Sequence, residues 1–204
     1  MAKRKWTLFK SRVEKFIDRV QRTNAKKNVW INVVRTDRFF EFIDFIVGAP
    51  QLTDDYKLMI TLQLTTGCRI SELLNLTKQD FKFRGDQAIA EIDVLKKRGR
   101  SIIRYGLVSK TIIPLLQDKL DSLSSNENLF KISRTAVWMQ YNIMMGINPH
   151  GFRHSLINYL FEQRRKTTEE VVNLMAFSTW EVANKYHNTN PERSAWKLAE
   201  GWED

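Results

Sequence analysis

Residues 88–95 alternate between apolar and charged side chains, and this short stretch restricts the fold more than any other feature of the sequence. Apolar members such as Ile92 would lie on one face and charged members such as Asp93 on the other, the period of two expected for a half-buried strand. A basic turn follows at residues 96–100, and residues 101–108 predict a returning strand. The fold must therefore include an antiparallel hairpin with a strongly basic turn.

Helical spacing dominates the remainder, with breaks at glycine and proline. Asp54 is placed to cap a helix, and Gly67 can end that helix where a left-handed backbone is needed. A second helix is expected to begin near Arg69, and Gly146 and Pro149 interrupt the later helical region. We therefore predict a mainly α (α+β) fold with a small antiparallel sheet.

The first 50 residues are rich in lysine and arginine and end at a sequence that stops helices. Apolar and basic residues recur at helical spacing over residues 2–28, which predicts an amphipathic helix. A second apolar stretch, residues 39–47, runs into Gly48-Ala49-Pro50. We therefore divide the chain into a short basic helical segment, residues 1–50, and a main domain, residues 51–204, that ends in a tail helix at 188–204.

The charge balance favours a polyanionic partner. Lysine and arginine number 33 against 23 aspartate and glutamate, which gives a net charge of +10. No stretch approaches the roughly 20 apolar residues of a membrane span, and Cys68 is the single cysteine, which excludes an internal disulfide and a thiolate zinc cluster. We expect a soluble, cytoplasmic protein that binds nucleic acid. The residues expected to contact phosphate are Lys10, Arg12, Lys26, Lys27, Arg98 and Arg100.

Cleavage of a phosphodiester without a metal needs a nucleophile, cations to neutralise the nonbridging oxygens and an acid for the leaving oxygen, and one motif of this sequence is rich in candidate groups. It is the run His150-Gly151-Phe152-Arg153-His154 at the start of a predicted helix. Offsets of three and four place His150, Arg153 and His154 on one face. A guanidinium can donate a planar pair of hydrogen bonds to two phosphate oxygens, so Arg153 suits a phosphate clamp.

Two further segments carry candidate groups. In residues 66–76, Glu72 is offset from Arg69 so that its carboxylate could hold the guanidinium, although the pair alone is typical of an ordinary surface pair worth a few tenths of a kcal/mol. In residues 178–187, Tyr186 lies at the end of a short predicted helix. A free phenol has a pKa of about 10, so Tyr186 would need nearby cations to act as a nucleophile, and a lone tyrosine there is more often a packing residue.

The order of these motifs resembles the catalytic domain of the tyrosine recombinase, or phage integrase, family, from about residue 51 to residue 187. The resemblance implies a tyrosine recombinase-like helical catalytic domain with a small β-sheet. It implies that Arg69 and Arg153 hold the scissile phosphate, His150 assists them, and Tyr186 is the nucleophile. Lys96, in the hairpin turn, would be the general acid, with neighbouring Lys97 as the alternative. The family uses no metal or other cofactor.

The chain departs from the family pattern in two places. Phe177 stands where the family has histidine or tryptophan, and losing one donor to the transition state commonly costs about 10²-fold or more in rate. Trp180 is a candidate replacement through its indole N–H, although packing is its more ordinary role. The first 50 residues are shorter than the family's amino-terminal domain, so they predict a reduced or truncated DNA clamp. Glu72, Lys97, His154, Phe177 and Trp180 are the supporting residues.

The resemblance also implies partners and leaves alternatives. Duplex DNA would be the substrate, with a homo-oligomer forming a tetrameric synapse on DNA and a monomer when free, in the host cell of a virus, plasmid or other mobile element. A type IB topoisomerase shares the same residue chemistry, and a DNA-binding relative that has lost catalysis is the rival of another class. A zinc hydrolase is disfavoured, because His150 and His154 lack a glutamate after the first histidine and a convincing third ligand.

Overall fold

Helices and two small antiparallel sheets make up the described part of the chain. The computed structural model describes residues 2–24, 27–95 and 101–175 of the 204. The helices are α1 (Ala2–Glu14), α2 (Phe39–Val47), α3 (Asp54–Thr66), α4 (Ile70–Leu74), α5 (Ile113–Asp121), α6 (Arg134–Met145), α7 (Pro149–Glu162) and α8 (Thr168–Met175). The strands are β1 (Ile17–Asn24), β2 (Lys27–Val34), β3 (Phe81–Arg84), β4 (Gln87–Leu95) and β5 (Ser101–Val108). The predicted mainly α fold with small antiparallel sheets is confirmed.

Local sequence signals set most of the helix ends. Gly67 ends α3 with φ of 63°, and Gly146 ends α6 with φ of 68°, both as predicted. The predicted cap of α3 was wrong by one residue: Thr53 is the cap, since its hydroxyl accepts the main-chain N–H of Tyr56 at 3.4 Å. Asp54 is instead the first residue of the helix, where its carboxylate favours the positive end of the helix dipole.

The predicted hairpin is present as β4 and β5, which pair antiparallel from Ala88 opposite Val108 to Leu95 opposite Ser101. The sequence did not predict β3, which pairs with the other edge of β4 and gives the sheet the order β3-β4-β5. Residues 96–100, the basic turn, lie outside the described residues.

The predicted helix over residues 2–28 was wrong beyond its first half. Helix α1 ends at Glu14, and β1 then pairs antiparallel with β2, with Ile17 opposite Val34. Long-range contacts stabilise this hairpin: the Val34 N–H donates to the Ser155 hydroxyl on α7 at 2.8 Å, and the Asn32 amide donates to the Gly146 carbonyl at 2.8 Å. A partner 121 positions away cannot be deduced from local periodicity.

One hydrophobic core joins the amino-terminal segment to the rest of the chain. It extends from Phe9 in α1 to Met175 in α8, and the Phe39 ring stacks on the Tyr159 ring of α7 at 4.4 Å between centroids. Side chains from both sides of residue 51 therefore share one core. Among the described residues, no helix combines the length and apolar character needed to cross a bilayer.

Candidate active site

Arg153, on the first turns of α7, is buried and holds two other elements to that helix. Its Nη1 donates to the Gly67 carbonyl at 2.7 Å and its Nη2 to the Met175 carbonyl at 2.7 Å, so it joins the end of α3 to the end of α8. Burial, followed by the positive charges of Arg104 and Arg69, lowers the pKa of Arg153 to about 10. The guanidinium is therefore still a cation at neutral pH, in a site where further negative charge would be favourable.

Gly67 is needed at this junction for two physical reasons. Its φ of +63° lies in the left-handed region that other residues adopt only with strain. A Cβ at this position would also lie 2.5 Å from Met175 Cε and 3.0 Å from Leu156 Cδ2. The close approach of α7 and α8 to the end of α3 therefore depends on glycine, which places the Gly67 carbonyl within reach of Arg153.

Arg69 caps the start of α4 beside this junction and remains open to solvent, with 44% of its side chain exposed. Its Nη1 donates to Glu72 Oε1, and its main-chain N–H donates to Glu72 Oε2 at 2.8 Å. Glu72 is only 8% exposed, so the interpretation as an ordinary surface pair was wrong. A buried carboxylate holds the guanidinium while the rest of the Arg69 side chain faces outward.

Arg104, on β5, is a member of this site that the sequence analysis missed. It is 2% exposed, and its Nη1 donates to the Thr66 carbonyl at 2.7 Å while its Nη2 donates to Glu72 Oε2 at 3.2 Å. Burial raises the pKa of Glu72, but the charge of Arg104 and the hydrogen bonds from Arg69 outweigh it, so the pKa lies below its usual value. The signal in the sequence was the position of Arg104 on the returning strand. Arg104 pairs with Ile92, in the row of residues that faces inward.

Gln63 was also missed and connects the two halves of the site. Its Nε2 donates to the Cys68 carbonyl at 3.3 Å and to the Pro149 carbonyl at 3.1 Å, and the residue is fully buried in α3. One side chain therefore sets the loop before Arg69 against the start of α7. A glutamine inside an apolar helical run was the signal in the sequence.

His150 and His154 lie on the first turns of α7, whose start is capped by Asn148. The His150 residue is exposed and His154 is half-buried, and their rings pack edge to face with centroids 4.6 Å apart. The described part of the chain contains no group of three or more histidine, cysteine, aspartate or glutamate residues placed to hold a metal ion. His150 therefore lies at the exposed start of α7, in the same motif as the buried Arg153.

Several of the predicted residues lie outside the described residues. They are Lys26, Lys96, Lys97, Arg98, Arg100, Phe177, Trp180 and Tyr186, and the side chain of Lys27 is likewise not described. Of the predicted phosphate contacts, Lys10 and Arg12 are exposed on α1, and the Arg12 guanidinium lies 4.9 Å from the centroid of the Phe45 ring. The structure thus brings together Arg69, Glu72, His154 and Arg153 with His150, and adds Arg104 and Gln63.

A family model and several solved structures are similar to this chain. The model of the phage integrase family matches residues 37–193. The structure is similar to the XerH site-specific recombinase bound to its difH substrate in a pre-cleavage complex, with 17% identity, a TM-score of 0.60, and coverage of 84% of this chain and 54% of that one. A post-cleavage complex of XerH gives a TM-score of 0.58, with 17% identity, over 84% of this chain and 53% of that one.

The Tn1549 transposon integrase (residues 82–397) in complex with circular intermediate DNA is similar at 17% identity and a TM-score of 0.54, over 81% of this chain and 63% of that one. The chain thus spans about half the length of the XerH structures and somewhat more of the integrase fragment. No curated protein sequence matches it. At this identity the similarity to these structures establishes the fold.

Proposed function

The chain belongs to the phage integrase family, and we propose that it is a site-specific DNA recombinase that breaks and rejoins strands through a 3′-phosphotyrosyl bond to Tyr186. One observation carries the proposal: Arg153 of α7 donates to the carbonyl of Gly67, two residues before Arg69. Two cationic motifs that are 86 positions apart are therefore joined at one place. Paired guanidiniums there suit the charge that develops on a scissile phosphate.

In the proposed reaction, the phenolate oxygen of Tyr186 attacks the phosphorus and the bond to the 5′ oxygen breaks. Lys96 gives its proton to that leaving oxygen, with Lys97 as the alternative donor, while Arg69 and Arg153 neutralise the nonbridging oxygens. His150 donates a further hydrogen bond. Attack of a 5′ hydroxyl on the phosphotyrosine then reverses the step, so the energy of the broken bond is conserved and no metal is required.

Duplex DNA is the proposed substrate. The net charge of the chain and its similarity to DNA-bound structures both support this proposal. The chain carries a net charge of +10, and the similar XerH and Tn1549 integrase structures are complexes with DNA. We extend the proposal to a homo-oligomer assembled on DNA, because strand exchange between two duplexes needs one nucleophile for each broken strand. The protein would accordingly be associated with DNA in the cell.

A second candidate rests on Phe177, which replaces a hydrogen-bond donor of the family pattern. A chain without that donor could retain DNA binding and lose most of its cleavage, since one transition-state donor is commonly worth about 10²-fold or more in rate. Arg69, Arg153, His150 and Tyr186 are nevertheless all kept. We therefore favour the active recombinase.

The test is a covalent-trapping assay on a pool of nicked duplexes with randomised arms, in the presence of a chelator. The wild type is compared with Tyr186→Phe and with the matched control Tyr105→Phe, which removes a hydrogen bond from the phenol to Glu91 at 3.3 Å. We expect a protein–DNA band on denaturing gels for the wild type and Tyr105→Phe, and none for Tyr186→Phe. Salt-sensitive binding without any covalent band would instead favour the inactive DNA-binding relative.

A further inference from the structure

Arg104 has no role in the reaction proposed above, yet it is as deeply buried as Arg153 in the described part of the site. It is 2% exposed, whereas 44% of the Arg69 side chain is open to solvent. Its partners differ from those of Arg153: the two arms of Arg153 donate to main-chain carbonyls, whereas one arm of Arg104 donates to a carboxylate that also holds Arg69. Arg104 is therefore connected to the reaction through the groups it contacts.

Those groups lead directly to Arg69. Arg104 donates from Nη2 to Glu72 Oε2 at 3.2 Å, and the same carboxylate accepts the main-chain N–H of Arg69 at 2.8 Å and its guanidinium at the other oxygen. The second arm of Arg104 donates to the Thr66 carbonyl at 2.7 Å, which fixes the guanidinium to the last residue of α3. The Glu72 carboxylate thus accepts hydrogen bonds from both Arg104 and Arg69 and connects the two arginines.

Charge gives the arrangement a second consequence. The Glu72 carboxylate is paired with two guanidiniums, so its single negative charge is shared between them. The three groups together retain a net positive charge. Without Arg104, the Glu72 charge would be compensated by Arg69 alone, and Arg69 would attract an incoming phosphate less strongly. Glu72 would also lose the contact that fixes Oε2 against β5.

Resting on the recombinase function proposed above, we propose that Arg104 is a positioning residue that fixes Glu72 and so presents the Arg69 guanidinium to the scissile phosphate. The effect acts on the reacting geometry more than on DNA affinity. Affinity is distributed over many phosphate contacts, whereas the chemical step depends on the placement of a few groups.

The experiment compares Arg104→Met with wild type and with Arg84→Met, which changes an exposed arginine on strand β3 of the same sheet. The rate of covalent-complex formation is measured in a single turnover at saturating protein, and the Kd for uncleaved DNA and the thermal midpoint are measured alongside. We expect Arg104→Met to slow the saturated rate by about 10- to 100-fold with less than about a threefold change in Kd. Arg84→Met should leave the saturated rate unchanged.

A double-mutant cycle with Glu72→Gln separates positioning from a general structural role. If Arg104 acts through Glu72, the double variant Arg104→Met/Glu72→Gln should react about as slowly as the slower single variant. A wild-type saturated rate for folded Arg104→Met, or losses that multiply in the double variant, would overturn the inference. If Arg104→Met does not fold, Arg104→Gln replaces it under the same criteria.

The same experiment distinguishes a failure of the proposed recombinase function from a failure of the proposed role of Arg104. A wild-type protein that forms no covalent complex would overturn the recombinase function and this inference together. A wild-type protein that reacts beside an equally reactive Arg104→Met would overturn the role of Arg104 alone.

Discussion

Arg153 Nη1 donates to the carbonyl oxygen of Gly67 across 86 positions of sequence, at 2.7 Å. This hydrogen bond fixes the start of α7, which carries His150, against the loop that leads to Arg69. Since the other arm of Arg153 donates to Met175, the same guanidinium also fixes the end of α8. The placement of three segments therefore depends on one planar side chain.

We expect Arg153→Lys to lose cleavage by about 10²-fold or more, because an ammonium keeps the charge but cannot reproduce the two-armed donor geometry. Single-turnover covalent trapping measures the effect. Arg134→Lys, which changes an exposed arginine at the start of α6, is the control and should react at the wild-type rate. Equal rates for wild type and Arg153→Lys would contradict the clamp.

Ser155→Ala should destabilise the fold by about 1–3 kcal/mol, because it leaves the buried N–H of Val34 without its acceptor. The lost hydroxyl also donates to the Gly151 carbonyl at 2.8 Å. Urea unfolding of Ser155→Ala and of Ser122→Ala gives a matched comparison, since Ser122 is exposed and its hydroxyl donates to the Lys119 carbonyl nearby in the chain. If both changes cost the same, the β2–α7 hydrogen bond contributes nothing measurable.

Gly151→Ala should disturb the docking of β2 on α7. A Cβ at Gly151 would lie 2.4 Å from the Asn32 carbonyl oxygen and 2.8 Å from Ile147 Cγ2, so strand or helix must move. We expect a loss of about 1–3 kcal/mol in the free energy of unfolding and faster hydrogen exchange at Val34. Gly48→Ala, where the nearest atom would be 3.2 Å away, should change stability by less than about 1 kcal/mol. Unchanged exchange at Val34 would count against the close approach.

The pH dependence of stability should report the Glu72 network. Because the folded pKa of Glu72 lies below its ordinary value of 4.5, its contribution is complete above that value and is lost as pH falls through the folded pKa. The unfolding free energy of wild type minus that of Glu72→Gln, measured in urea, should therefore be constant near neutral pH and shrink on acidification below about pH 4.5. If the difference in unfolding free energy grew as the pH fell, it would contradict a lowered pKa of Glu72.

DNA binding should weaken steeply with salt, with a slope of about −0.9 in log K against log salt for each neutralised phosphate. Lys10→Gln, on the exposed face of α1, should weaken binding across sequences and reduce the slope by about 1. Lys131→Gln is the control, because Lys131 already pairs with Glu127. Fluorescence anisotropy over a salt series measures both, and identical slopes for all three proteins would exclude α1 from the DNA interface.

Features that depend on neighbouring residues were predictable from the sequence. Backbone chemistry at Gly67 and Gly146 ended two helices as expected, and the alternation over residues 88–95 predicted β4 together with the return strand β5. The spacing of Arg69, His150 and Arg153 within their motifs was likewise a local pattern, sufficient to indicate the family.

Features that depend on distant partners were decided by the tertiary structure. β1 replaced the second half of a predicted helix because it pairs with β2, which finds hydrogen-bond partners on α7, where Ser155 accepts the N–H of Val34. The strength of the Arg69–Glu72 pair was invisible in the sequence, since an offset of three is the same on a solvated surface and in a buried site. What changed it was Arg104 of β5, which reaches the carboxylate from 32 positions away. Local patterns therefore predicted β4, β5 and the ends of α3 and α6, whereas contacts distant in sequence decided the β1–β2 hairpin and which arginines share a carboxylate.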